Sequence, residues 1–137
     1  MKNQEYALVG DELLVCVLRE FPENNVLFKS EEDLYSVFYK ASLKSEFRNL
    51  FKNYHFNENG IMPYSKEFAD GFDTMRRSNI LNYLQFRGYQ ISGGIYFRFD
   101  RFIAKKLNNS QKKKIKDLSN YLKKELKKQH ELETAFS

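Results

Sequence analysis

His55, His130 and Cys16 are the only imidazoles and the only thiol of the chain, and their placement decides which chemistry is open to it. A zinc centre takes about four nitrogen, sulfur or carboxylate ligands. The two histidines lie far apart, and neither has a convincing second ligand two or four residues away. His55, between Tyr54 and Phe56, reads as a partly buried structural side chain. Cys16, inside VCVL, reads as a buried, inert thiol, and a single cysteine closes no disulfide within the chain. Glu31, Glu32 and Asp33 stand together, but they follow Ser30 at a helix start, where carboxylates meet the positive end of the helix. Ser65 lacks the flanking glycines of a nucleophile elbow and serves as a cap. Gly93-Gly94 lacks the following helix and the Lys-Ser/Thr pair of a phosphate-binding loop. The sequence predicts no enzyme, no cofactor and no metal.

Binding surfaces are better represented. A helix over 78–87 would present Asn79, Asn82, Gln85 and Arg87 beside Arg76 and Arg77. Arg and Asn can pair with base edges in a major groove, while Lys and Arg on neighbouring elements meet phosphates. Arg98 and the glycine-rich tip would then form a short wing, with Lys112, Lys113 and Lys114 as further phosphate contacts. The same residues also suit the solvated polar face of an ordinary helix. A second set could meet a protein: Tyr35, Tyr39 and Tyr121, together with the narrow stripe Ile115, Leu118, Leu122 and Leu126. That stripe would pack on its own body, pair with a second copy, or dock into a partner.

The elements that must carry these residues follow from spacing. A first helix runs from about Asp11 to Glu20, with Leu14, Val17, Leu18 and Phe21 on one face, and Pro22 ends it. Ser30 caps a second, striped by Leu34, Val37, Phe38 and Ala41. A third begins near Ser45, with Phe47, Leu50, Phe51 and Tyr54. Asn59-Gly60 marks a turn, and Pro63 biases Met62 towards an extended conformation. Ser65 caps a helix carrying Phe68, Phe72 and Met75, in which Gly71 permits close packing or weakens the middle. Whether 66–87 is one bent helix or two stays open. Beyond Gly88 the period becomes two, which predicts a hairpin over 89–99 turning at Ser92-Gly93-Gly94, with Ile91, Ile95, Phe97 and Phe99 inward. A basic helix over 110–131 closes the chain.

At 137 residues, 42% hydrophobic and 16% aromatic, the chain has one domain's length, 1–137, and is far too apolar for disorder. No run reaches the length of a membrane span, and the first residues lack the apolar stretch of a signal peptide. Together with the lone cysteine, this predicts a cytoplasmic protein without a membrane partner. Net charge is +5, unevenly spread: residues 1–100 hold 12 Lys and Arg against 14 acids, and residues 101–137 hold 11 against 4. Such polarity attracts phosphates at long range.

The segment YHFNENGIMPYSKEF resembles the Panacea domain, the family containing the SocA-like antitoxins. The match places Phe56 before the turn, Gly60, Pro63, Tyr64 and Ser65 in the segment, and Phe68 as the first apolar residue of the next helix. Leu34, Tyr35 and Phe38 match the upstream stripe, and Leu81 through Phe99 the helix and hairpin downstream. Gly60 and Pro63 are separated by Ile61-Met62, where the family joins glycine and proline directly. The resemblance implies a cytosolic helical domain linked to toxin–antitoxin loci, prophages and regulation, with no catalytic constellation.

The expected fold is mainly α with one β-hairpin, a compact helical domain in a winged-helix-like arrangement with a long C-terminal helix. The expected function is non-enzymatic duplex-DNA binding or regulation. The alternative is a protein-binding antitoxin, inhibitor or phage accessory module, or a homodimer, without nucleic acid.

Overall fold

The computed structural model describes residues 5–23, 25–57 and 64–136, with the side chains of the last helix through residue 131. Helix α1 (Glu12–Leu18) has all seven of its residues buried, rather than one face. A helix apolar around its circumference has to be enclosed on every side. Three later helices do this: α3 (Lys66–Arg77), α4 (Gly94–Phe102) and α5 (Asn109–Phe136) each pack against it.

Helix α2 (Glu31–Ser42) starts where the sequence predicts, with Ser30 Oγ accepting from the Asp33 amide at 3.2 Å. Its buried residues are Leu34, Val37, Phe38 and Ala41, the anticipated stripe. The third helical segment, Ser45–Phe51, is a 3-10 helix that buries Phe47, Leu50 and Phe51. Phe38 is the hub of the aromatic core, with ring centroids 4.8 Å from Phe51, 5.0 Å from Phe68 and 5.3 Å from Tyr54. The expected turn at Asn59-Gly60, the extended Met62, and the family-type Gly60 and Pro63 lie outside the described residues.

Ser65 caps α3 through the Phe68 amide, and Phe68, Phe72 and Met75 are buried as expected. Gly71 serves close approach: a Cβ there would lie 3.1 Å from the Gly10 carbonyl oxygen and 3.2 Å from Asp11 Cα. The question of one helix or two over 66–87 has a different answer. Helix α3 stops at Arg77, and Asn79 adopts a left-handed conformation with φ 61°. The Asn79 amide bonds to the Arg76 carbonyl at 3.1 Å and the Ile80 amide to the Met75 carbonyl at 3.0 Å, a Schellman ending sealed by buried Ile80 and Met75. The chain then forms an antiparallel pair, β1 (Leu81–Leu84) and β2 (Gly88–Ile91), in the register Leu81↔Ile91 and Leu84↔Gly88. Phe28 bridges to Tyr89 on the other edge of β2. Gly88 makes that approach possible, because its φ is +131° and a Cβ would collide with the Phe28 carbonyl.

The hairpin predicted over 89–99 is therefore displaced to 81–91, and its supposed second strand is helix α4. Ser92-Gly93-Gly94 starts that helix instead of turning a hairpin, with the Ile95 amide bonded to the Ser92 carbonyl at 3.1 Å. Residues 95–99 satisfy two periods at once. Ile95, Phe99 and Ile103 fall four apart and are all buried, which is helical spacing, while Phe97 is 61% exposed. Phe97→Ala is accordingly expected to change unfolding free energy by no more than about 0.5 kcal/mol, as surface substitutions do. Urea denaturation checks this, and a loss above about 2 kcal/mol would place the ring indoors.

Asn108, one residue ahead of α5, caps it. The Gln111 amide donates to Asn108 Oδ1 at 2.8 Å and the Asn108 amide to Gln111 Oε1 at 3.1 Å, a reciprocal capping box. Ile115, Leu118, Leu122 and Leu126 are buried against α1, α2 and the 3-10 segment, so the stripe attaches α5 to its own body. The chain is thus mainly helical, with a two-stranded antiparallel hairpin and a long C-terminal helix.

Candidate nucleic-acid interface

The Schellman ending brings the last turn of α3 and the hairpin together. Arg76 and Arg77 are exposed in that turn, where cations also suit the negative end of the helix. Both face Asp73: Arg77 Nε is 3.0 Å from Oδ2 and Arg76 Nη2 is 3.7 Å from Oδ1. Exposed pairs of this kind are worth about 0–1 kcal/mol, weak enough for a phosphate to replace the carboxylate. The rest of the outward face is mixed, with Lys66 held to Asp70 at 2.7 Å.

The predicted reading helix over 78–87 does not exist, and its residues are redistributed. Asn79 ends α3, and its carbonyl accepts from Ser92 Oγ at 2.6 Å, which ties α3 to the start of α4. Asn82 lies on β1 opposite Gln90. Gln85, Phe86 and Arg87 form the exposed turn, with Phe86 at φ 66° and 92% exposed. These side chains do not share one helix face, and Arg87 lines a groove beside the last helix.

Arg98 is no wing residue. Its Nη2 lies 2.7 Å from Asp11 Oδ1 and its Nε 3.3 Å from Oδ2, a fork that fastens α4 to the start of α1. That hydrogen bonding raises its pKa further, against the opposing effect of burial. Beside it, Glu12 accepts from the Tyr6 hydroxyl at 2.8 Å, and Lys106 Nζ approaches at 3.3 Å. The charge reserve lies on the shoulder that follows. Residues 101–116 hold seven Lys and Arg and no acid. Lys112 and Lys113 are exposed and Lys114 half-buried in the first turns of α5. Arg101, Lys105, Phe97 and Phe102 are exposed around one shallow depression that also holds Asp100, with the two rings 6.3 Å apart and Arg101 5.7 Å from the Phe97 ring centre. Sequence reasoning turned Phe97 inward by making 95–99 a strand, and it did not single out Arg101, Phe102 or Lys105. The acid-free run from Arg101 to Lys116 was the available signal.

The partner-binding set divides similarly. Ile115, Leu118 and Leu122 face the chain's own core and offer nothing to a partner or a second copy, and of the stripe only the edge of Leu126, 7% exposed, reaches a surface groove. Tyr35 and Tyr39 are half-buried, stacked at 6.5 Å and packed on Phe68 and Phe56 respectively. Burial, then Tyr39 and Tyr64, pushes the Tyr35 hydroxyl up to about 12. Tyr121 lies 6.0 Å from Phe47, with Lys44 Nζ 5.0 Å from its ring centre, and burial with Glu125 raises its pKa.

Of the groups considered for catalysis, Cys16 is enclosed in α1, and burial first, then Glu12, pushes its thiol up to about 12. His55 departs from expectation: its side chain is 84% exposed, with Nδ1 3.4 Å from Glu67 Oε1. The same oxygen accepts from the His55 amide at 2.6 Å, so the imidazole is drawn to the start of α3 and away from the core. Among the described residues no group of three or more His, Cys, Asp or Glu is placed to hold a metal ion. No described helix is long and apolar enough to cross a membrane. Comparison with family models, curated proteins and solved structures finds no match to this chain.

Proposed function

We propose that this is a non-enzymatic, cytoplasmic protein that binds duplex DNA through the end of α3 and the hairpin, with the α4–α5 shoulder contributing phosphate contacts. One observation carries the reading: the hairpin follows directly on α3, and Arg76 and Arg77 are exposed at the helix end that leads into it. The order supports a winged-helix-like arrangement, with α1, the extended Phe28 that bridges β2, α2, α3 and then the hairpin. Asp70 and Asp73 on the outer side of α3 oppose deep insertion into a major groove. Binding is thus chiefly electrostatic, with Arg76 and Arg77 as the leading phosphate partners. The resemblance to the Panacea domain adds a regulatory setting in a toxin–antitoxin or prophage system.

A salt series with random and native-locus duplex tests this, after folding is checked. Every cation that neutralises a phosphate adds about 0.9 to the slope of log affinity against log salt, so Arg76→Ala with Arg77→Ala should lower that slope by about 1.8. Lys127→Ala with Lys128→Ala should change it little. Asp73→Asn removes the carboxylate charge that faces both arginines and should strengthen binding by up to about fivefold, the worth of an exposed ion pair. No binding at about 50 mM salt, or equal effects of the two double substitutions, would overturn the site.

A second reading, a protein-binding module, is favoured by Phe86. A bulky ring held outward in a left-handed backbone conformation is costly for the fold and suits an interface anchor.

A further inference from the structure

A groove of about 590 Å³ runs between Phe21, Pro22 and residues 25–29 on one side and the far half of α5 on the other. Its floor is apolar, formed largely by Phe21, Val26 and Leu126, and Val26 is 43% exposed. Its rim is cationic, with Lys123, Lys127 and Arg87 around Asp33, the one acid among its described lining residues. Lys123 Nζ sits 5.4 Å from the Phe21 ring centre, so one cation already lies over the floor. Along one wall the chain is extended: the Leu27 amide bonds to the Tyr89 carbonyl at 2.9 Å and the Tyr89 amide to the Phe28 carbonyl at 2.8 Å. Residues 27–28 therefore stand at the outer side of the hairpin, and the groove lies beside them.

We propose that this groove binds an acidic amphipathic peptide segment of a partner protein, with apolar side chains on the floor and carboxylates against the rim. The volume falls within the ordinary range of ligand sites. Nucleic acid would satisfy the lysines but leave Val26, the exposed apolar side chain of the groove, uncovered. An acyl chain would cover the floor but needs fuller enclosure than an open trough gives. A peptide that alternates apolar and acidic side chains satisfies both, and an extended one can run beside the edge formed by residues 27–28. This inference is independent of the DNA-binding reading and concerns a different surface, apart from Arg87, which the test leaves untouched.

The experiment is fluorescence anisotropy on the full chain at physiological salt, with a labelled peptide alternating Leu and Glu. Peptides alternating Leu with Lys, and Gly with Glu, serve as controls. Val26→Asp and the pair Lys123→Glu, Lys127→Glu alter floor and rim at positions that are not fully buried, and circular dichroism and melting confirm their fold. The Leu-Glu peptide is expected to bind, the controls at least about tenfold more weakly, and each variant to lose at least about tenfold. Arg76→Ala with Arg77→Ala should leave peptide binding unchanged, which separates this result from failure of the DNA site. Absence of Leu-Glu binding, equal binding of the Leu-Lys peptide, or an unaffected Val26→Asp variant would overturn the proposal. So would occupancy by sodium decanoate or by duplex DNA in preference to the peptide.

Discussion

Arg98→Ala is expected to destabilise the fold by about 3–5 kcal/mol, the range for breaking a buried ion pair from one side. Its partner is the reason. The Asp11 side chain is only 5% exposed, and it makes no capping bond to the start of α1. Removing the guanidinium leaves a carboxylate that is only 5% exposed without its counter-charge. Asp11→Asn should cost less, because the charge left behind is Arg98, which is 31% exposed and can turn towards solvent. The double variant Asp11→Asn, Arg98→Met should recover a large part of the Arg98→Ala loss, since a neutral pair leaves no charge unmatched. Guanidinium denaturation at neutral pH measures all three. A loss below about 1 kcal/mol for Arg98→Ala would show the fork to be an ordinary surface pair.

Phe38→Ala should be comparably damaging, at about 3–5 kcal/mol, because it empties the meeting point of α2, α3 and the 45–51 segment. The ring is fully buried and touches rings of α3 and of the 45–51 segment. Collapse around the void would have to move several aromatic side chains at once. Phe97→Ala is the internal control, since it deletes the same atoms from an exposed position. If the two variants melted together, the aromatic core would have been assigned to the wrong residues.

What the sequence made legible follows from how many constraints each segment satisfied alone. In α2 and α3, a serine cap, first-turn acids and an unbroken stripe agree, and both starts and every stripe residue are found as expected. The last helix was legible in its stripe, whereas its capping by Asn108 was not anticipated. The hairpin was misplaced because its determinants are tertiary. Leu81–Leu84 is a strand only because Asn79 turns the chain and β2 is held on its other edge by Phe28. Read alone, Ile80, Leu81 and Leu84 fit a helix equally well. Residues 95–99 erred in the other direction, and the deciding residue, Ile103, lay beyond the window that suggested alternation. The site suffered accordingly: the arginines at the end of α3 were placed on the surface as expected, while the residues thought to follow them on one helix were divided among a cap, a strand and a turn.

The enclosure of α1 also sets a timetable. The buried Ser119 hydroxyl donates to the Val17 carbonyl across 102 residues of chain, in the stretch of α5 that seals the helix. During synthesis at about 5–20 residues per second, α1 leaves the ribosome roughly 5–20 seconds before its last wall arrives. Throughout that interval LLVCVL has no complete shelter. A ribosome stalled between the two helices would display the stickiest surface of the molecule, so the nascent chain should depend on holding chaperones far more than the finished protein does.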